Sequence, residues 1–521
     1  MFQKTEILKR LDFLLAIIFL QSVIYMLVVF DITVARQIIG FLYFTFLPGY
    51  LIVKLLKFHF RTLETLIFSV GFSIASLMLV GLFLNELGSM AGILQPLSTI
   101  PLLVTLNLLV LVITALTCGR GASFELFDRV SFGLVKWAVP LMLPLVLSIV
   151  GAMLVNMYGD NLILLIMILT ISSIATVLIL KNNFTSKVYA FAVFIIGISL
   201  LYHSSLISRY LCSFGSDIAP EFYTSKHTQM NSYWSSTPPA YFSLSIGRLN
   251  NMLSITILPT VYCNLLNLDF AWIFKLISPL IFAFVPICLY HLWQEGFGDK
   301  YAFISAFFFM ATGTFFSELL GLNRQMIGEL FFALLLFILL YKNMNYFQRM
   351  FSFTIFGFVL VVSHYALAEI FLFLIVFAWV CMFILKRHSN NLTVGMVALF
   401  FVIMFAWYIY TSRSSVFTSF LEYADHVIRE DKTIIHGEYF THLFYLKDWI
   451  KSFQVIQEDY KKIRIFAILQ GDINNTEKRD IENKIKLVME DDCDIIWEFV
   501  DEIPVTSTGK HLYTKSLLYH D

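Results

Sequence analysis

Charged side chains are scarce in this sequence: Lys, Arg, Asp and Glu make up 14% of 521 residues, against 59% apolar and 17% aromatic. Water-soluble domains carry roughly a quarter charged residues and about half apolar ones, so a soluble globular chain is excluded. Net charge is missing too, with 36 basic and 36 acidic side chains. No global field would recruit nucleic acid, and no long basic block could act as a nucleic-acid arm. Cysteine is rare and never closely spaced. Cys118, Cys212, Cys263, Cys288, Cys381 and Cys493 stand singly without a CxxC pair, which gives no sign of a zinc, iron–sulfur or redox centre. They read as small core residues.

What the chain has instead is long apolar runs, rich in its 54 Phe. A bilayer core about 30 Å thick needs roughly 20 apolar residues per helix. Runs of that order are expected at 11–30, 37–56, 64–84, 98–117, 133–155, 161–180, 188–206, 270–292, 301–320, 326–341, 351–367, 368–385 and 392–411. The first outruns the h-region of a cleaved signal peptide, and many further spans follow it. As one helix, 351–385 would run about 52 Å, so a break is expected near Ser363, His364 and Tyr365. The predicted fold class is an all-α polytopic membrane protein of about twelve to thirteen transmembrane helices, followed by a small soluble α/β module. Four regions are expected: helical blocks 1–206 and 270–428, a polar segment 207–269 between them, and the module 429–521.

Lys and Arg of short loops stay on the cytoplasmic side. Lys4, Lys9 and Arg10 place the N-terminus inside, and Lys54, Lys57, Arg61, Arg120, Arg129, Lys181, Lys187, Lys342, Arg349, Lys386 and Arg387 then fall on the same side. Residues 207–269 lie outside in this scheme, with Arg324 in an outer turn and His364 near an outer helix end. Everything after Tyr410 also begins outside.

The outer segment is the place to look for chemistry. Asp217 and Glu221 are four residues apart, and a short helix would put both carboxylates on one face. Such a pair could ligate a divalent cation, Mg or Mn, or act as a base; the alternative is a solvated loop with ordinary acidic residues. Tyr223, Tyr233, Trp234 and Tyr241 nearby would supply sugar-stacking groups at headgroup level. Asn251 to Asn264 is apolar but too short to span, and is expected as a re-entrant or interfacial piece lining a cavity. In LNRQMIGE, Arg324 offers a fork of donors for a lipid-linked phosphate, with Gln325 beside it; a plain interfacial anchor is the other reading. Glu318 and Glu329 should face a cavity or a partner, and Arg324 is a candidate partner for Glu329. His364 and Tyr365 could hydrogen-bond a substrate, although a lone His at a helix junction is more often structural. Pro48 and Gly49 in FLPGY are expected to mark a helix break.

The order of RQIIGFLYFTFLPGYLIVKLLKF, LETLIFSVGFSIA, the Asp217 loop, NNMLSITILPTVY, FFSELLGLNRQMIGELF and SHYALAE resembles a group of archaeal polytopic membrane proteins, over residues 1–428. In layout that group is similar to GT-C glycosyltransferases, membrane enzymes that use a polyprenyl-phosphate-linked sugar and keep a catalytic Asp in an outer loop. The resemblance implies Asp217 as the catalytic Asp, Glu221 as its neighbour and Arg324 as a phosphate contact. Here the acidic loop follows about the seventh span rather than the first, and its spacing is DxxxE rather than DxD.

From about Arg429 the composition turns polar, with a strand-like 463–469, a helical 477–490 carrying Ile481, Ile485 and Val488 on one face, and a strand-like 494–500. IIHGEYFTHLFY, IKSFQVIQEDY and EFVDEIPVTSTGKHLYTKS resemble the C-terminal subdomain of phenylacetate-CoA ligase-like adenylate-forming enzymes, over residues 430–521. By that resemblance Lys510 is the adenylation lysine. No Ser/Thr/Gly-rich phosphate loop of the partner ATP domain lies upstream, and charge counting places the tail outside, away from ATP. The expectation is a relict or chimeric tail with Lys510 idle.

The expected function is transfer from a lipid-linked sugar donor to a glycan or protein acceptor at the outer face, with membrane lipids as surroundings and no nucleic-acid partner. Competing classes are a lipid or lipid-linked sugar transporter and an assembly protein of cell-surface polymers. An enzyme requires Asp217 and Arg324 to converge, a transporter a polar path through both faces.

Overall fold

Twelve helices among the described residues of the computed structural model are long and apolar enough to cross a bilayer. The structure describes all residues except 1, 121–131, 182–183, 208–216, 237–243, 388, 390, 413–425, 432, 445–446, 504–512 and 519–521. The twelve are Arg10–Val29, Thr33–Leu55, Thr62–Met90, Thr99–Gly119, Lys136–Tyr158, Leu162–Leu180, Ser186–Ser205, Phe270–Phe297, Asn323–Leu340, Tyr346–Ser363, Tyr365–Ile384 and Val394–Thr411. A further pair, Asp299–Met310 and Thr314–Gly321, is bent by 59°. The chain is a polytopic membrane protein with a small C-terminal module, and lipid is its solvent.

Polar contacts sort the helix ends into two sets. At one end, Asn85 Nδ2 donates to the Trp234 carbonyl (2.7 Å), Arg36 donates to the carbonyls of Asn264 and Leu265 (2.8 Å each), and Arg324 pairs with Asp217. At the other, Tyr341 O–H donates to Glu64 (3.1 Å), His291 Nε2 lies 3.1 Å from Glu64, and Gln348 donates to the Leu56 carbonyl (3.0 Å). Asp299 joins this second set through Tyr290 (2.9 Å) and Gln294 (2.6 Å), whereas Arg324, just beyond the bent pair, belongs to the first. The bent pair therefore leads from the second set of ends to the first, with Met310 beside its break packed against Gly197. Between the two ends the core is aromatic: Phe356 packs on Phe72 (4.6 Å), Phe331 (5.6 Å) and Phe68 (5.8 Å).

The 351–385 stretch breaks at His364, as its length requires. FLPGY does not break its helix, contrary to the sequence expectation: Thr33–Leu55 runs straight through Pro48. Pro48 removes one ladder donor, and the next N–H, of Gly49, is redirected to Ser73 Oγ (2.8 Å). Gly49 is there for contact. A Cβ on it would sit 1.9 Å from the Ser69 carbonyl oxygen, so the two helices meet backbone to backbone.

The chain divides into Met1–Thr411 and Ser412–Asp521, earlier than the 428/429 boundary suggested by composition. The reason is that His426–Ile428 already forms the first strand of the second unit, β1, antiparallel to β2 (Ile434–His436). β3 (Ile450–Asp459), β4 (Lys462–Leu469), β5 (Asp494–Phe499) and β6 (Thr514–Ser516) make a sheet in the order β5-β4-β3-β6. β3 and β4 form an antiparallel hairpin; the outer pairings are parallel. The Asn475–Met489 helix, capped by Asn474 accepting the N–H groups of Thr476 and Glu477, buries Ile481 and Ile485 with Val455, Ile463 and Ile465.

Candidate functional site

Asp217 and Glu221 lie on one short helix, Ile218–Asn231, with Asp217 as its N-cap residue. One helical turn separates the two carboxylates, and both reach the same guanidinium. Arg324 Nη2 is 2.7 Å from Asp217 Oδ2, and Nη1 donates to Glu221 Oε1. The second Glu221 oxygen accepts the backbone N–H groups of Asn323 (2.8 Å) and Arg324 (3.4 Å). The Asn323–Leu340 helix has no side-chain cap of its own, so Glu221 closes its N-terminus from across the fold, where the orphan N–H groups and the helix dipole favour a negative charge.

The two carboxylates differ in exposure, and hence in what they can do. The Asp217 side chain is 49% exposed and that of Glu221 is 0% exposed. Burial raises the Glu221 carboxyl to about 7, against the lowering pull of Arg324 and of the two backbone donors. Glu221, buried, holds the Arg324 guanidinium with one oxygen and the helix N-terminus with the other. Asp217 is the carboxylate a ligand can reach.

The pair does not fit a divalent cation, because a guanidinium already sits between the two carboxylates. Among the described residues no cluster of three or more His, Cys, Asp or Glu side chains gathers to hold a metal.

His364 stands near Arg324 and caps the Tyr365–Ile384 helix, its Nδ1 accepting the Leu367 N–H (3.2 Å). That bond assigns the proton to Nε2 in the neutral ring. Gly328 leaves room for the His364 side chain, since a Cβ there would lie 3.0 Å from His364 Cβ. Tyr365 is 38% exposed and its ring stacks on His364. Glu329 does not pair with Arg324: it accepts from Gln325 (2.9 Å), one turn back on its own helix. Glu318 is exposed, with Thr314 at 3.4 Å.

Two sequence expectations change here. Trp234 is no stacking platform: it is 1% exposed, its Nε1 donates to the Asn250 carbonyl (2.8 Å), and it stacks on Trp407. The segment expected to line a cavity is a packed strut whose Ile257–Leu266 helix is buried. Leu253 N–H donates to the Val362 carbonyl (2.7 Å), Ser254 to the Ser363 carbonyl (3.0 Å), and Ser225 to the Ile255 carbonyl. It thereby clamps the Asp217 helix to the turn that carries His364. Lys510, and Tyr241 of the outer segment, lie outside the described residues.

Two groups went unnoticed in the sequence. Asn323 is 1% exposed, and among the described residues both atoms of its amide, like Arg324 Nε, lack a hydrogen-bond partner. Its position directly before Arg324 was the available signal. Glu64, His291 and Tyr341 form the buried cluster at the opposite membrane end, and nothing in their scattered positions announced it.

Residues 349–437 match the family described as predicted membrane protein (DUF2206), and residues 427–516 match the CapK C-terminal domain. The first match spans the last three passages and runs into β1 and β2; the second covers the sheet of the second unit. No curated protein and no solved structure matches the chain. The chain is a multi-pass membrane protein whose final passages resemble that predicted membrane family and whose C-terminal unit resembles the CapK C-terminal domain.

Proposed function

We propose that the protein is a membrane glycosyltransferase of GT-C type, taking sugar from a polyprenyl-phosphate donor at the outer face, with the N-terminus cytoplasmic. The observation that carries this reading is the convergence of half-exposed Asp217 with Arg324 at one membrane end. The acceptor hydroxyl gives its proton to Asp217 as its oxygen bonds to the anomeric carbon. The bond from that carbon to the phosphate oxygen breaks, and Arg324, turning from Asp217, meets the charge left on the phosphate. Glu221 holds the guanidinium in place, and His364 Nε2–H is a second donor for the phosphate. The aromatic core between the two polar ends favours this over a transporter, which needs a polar path. The C-terminal unit is a relict of an adenylate-forming subdomain, without a catalytic part.

The test is transfer of labelled sugar from a panel of dolichyl-phosphate-linked hexoses by membranes containing the full chain. Transfer above control membranes supports the reading. Folded protein that transfers from none of the panel, with Arg324→Gln leaving donor binding unchanged, overturns it.

A further inference from the structure

The turn joining the Tyr365–Ile384 and Val394–Ser412 helices lies at the opposite end from His364, and so at the opposite membrane surface from the Arg324 cluster. The first helix ends in a Schellman motif: Arg387 N–H donates to the Met382 carbonyl (2.9 Å) and Lys386 N–H to the Phe383 carbonyl (3.1 Å). Its left-handed position, at φ 51°, is held by Lys386, where glycine is normally preferred. As at Lys57, which ends the Thr33–Leu55 helix at φ 54°, the position places the charged Lys386 side chain at a helix end at a small backbone cost.

That side chain borders a cleft of about 950 Å³ lined by Trp379, Phe383, Lys386, Arg387, Leu392 and Val394 among others. Neither Lys386 nor Arg387 has an ion-pair partner among the described residues. Trp379 and Phe383 stack (5.7 Å) as an apolar wall, and both flanking helices are among the least buried of the membrane unit, so the cleft opens to lipid.

We propose that this cleft binds one anionic phospholipid, its phosphate on Lys386 and Arg387 and an acyl chain along Trp379, Phe383 and Leu392. Two cations without an ion-pair partner among the described residues, above an apolar wall, match a charged headgroup joined to a hydrocarbon tail, with Trp at the interfacial level. A free anion would gain nothing from the wall, and a zwitterionic lipid would gain little from the cations.

The experiment uses the full chain in detergent, with dioleoylphosphatidylglycerol, dioleoylphosphatidylcholine or inorganic phosphate added and bound lipid read by native mass spectrometry. One phosphatidylglycerol is expected to remain bound where phosphatidylcholine does not, and Lys386→Ala with Arg387→Ala should weaken it about 30-fold. Lys386→Gly relaxes the turn while deleting one charge, and should weaken binding about fivefold without lowering thermal stability. Equal retention of both lipids, undiminished binding by the double variant, or displacement of phosphatidylglycerol by millimolar phosphate would each overturn the proposal.

Discussion

Removing Arg324 alone should be far more damaging than removing it together with the charge it neutralises. Arg324→Met leaves Glu221, whose side chain is 0% exposed, with backbone donors only. An uncompensated buried charge of this kind costs about 3–5 kcal/mol, whereas replacing both partners by neutral groups is close to neutral. The double variant Arg324→Met with Glu221→Gln should therefore recover about 2–3 kcal/mol of that loss, a coupling typical of contacting residues. The sign with pH follows from Glu221. Its carboxyl is raised by burial to about 7, so the stability linked to its protonated form is present in acid and lost as pH rises through about 7. Without Arg324 the charged form is more costly still, so the single variant's defect is largest at pH 8 and shrinks by pH 5.5. Titration with SDS in mixed micelles, followed by tryptophan fluorescence at both pH values, measures each corner of the cycle. A single-variant cost below about 1 kcal/mol at pH 8, or strict additivity, would mean that Arg324 does not compensate the buried Glu221 charge.

Donor affinity should also follow pH. A polyprenyl phosphodiester carries one charge across the neutral range, so its binding should tighten as pH falls through about 7 and Glu221 ceases to compete for Arg324; titration of a fluorescent donor analogue from pH 8 to 6 would show it. Gly49→Ala should cost about 3 kcal/mol or more, because its Cβ would meet the Ser69 backbone at 1.9 Å and neither helix can yield locally; the same SDS titration reads this. Trp234→Ala should cost about 3–5 kcal/mol in stability, whereas Trp234→Phe, which keeps most of the packing, should leave transfer unchanged. A large loss of transfer in folded Trp234→Phe would restore Trp234 as a sugar contact.

The helical passages were legible because twenty-residue apolar runs have no other stable home, and even the break at His364 followed from length. The soluble strands near 463–469 and 494–500 and the helix between them were legible by alternation and by the Ile481 and Ile485 spacing, whereas the hairpin partner Ile450–Asp459 was not read as a strand. Asp217 and Glu221 could be picked out by their four-residue spacing on the outer polar segment, and Arg324 by its place in a turn between two apolar runs. What the sequence did not carry was pairing across long separations: Glu221 with the Asn323 backbone, Glu64 with His291, Asn85 with Trp234. Local pattern also misread Pro48 and Gly49, since the redirected N–H and the close backbone approach depend on Ser69 and Ser73 of another helix.

In the proposed transfer Asp217 removes the acceptor proton. Membranes containing the full chain should be compared with Asp217→Asn for sugar transfer from the same dolichyl-phosphate-linked hexose, with donor binding measured in parallel. Loss of a general base predicts a fall of about 10²–10⁴-fold in transfer with donor still bound. Equal transfer by the two proteins would contradict it.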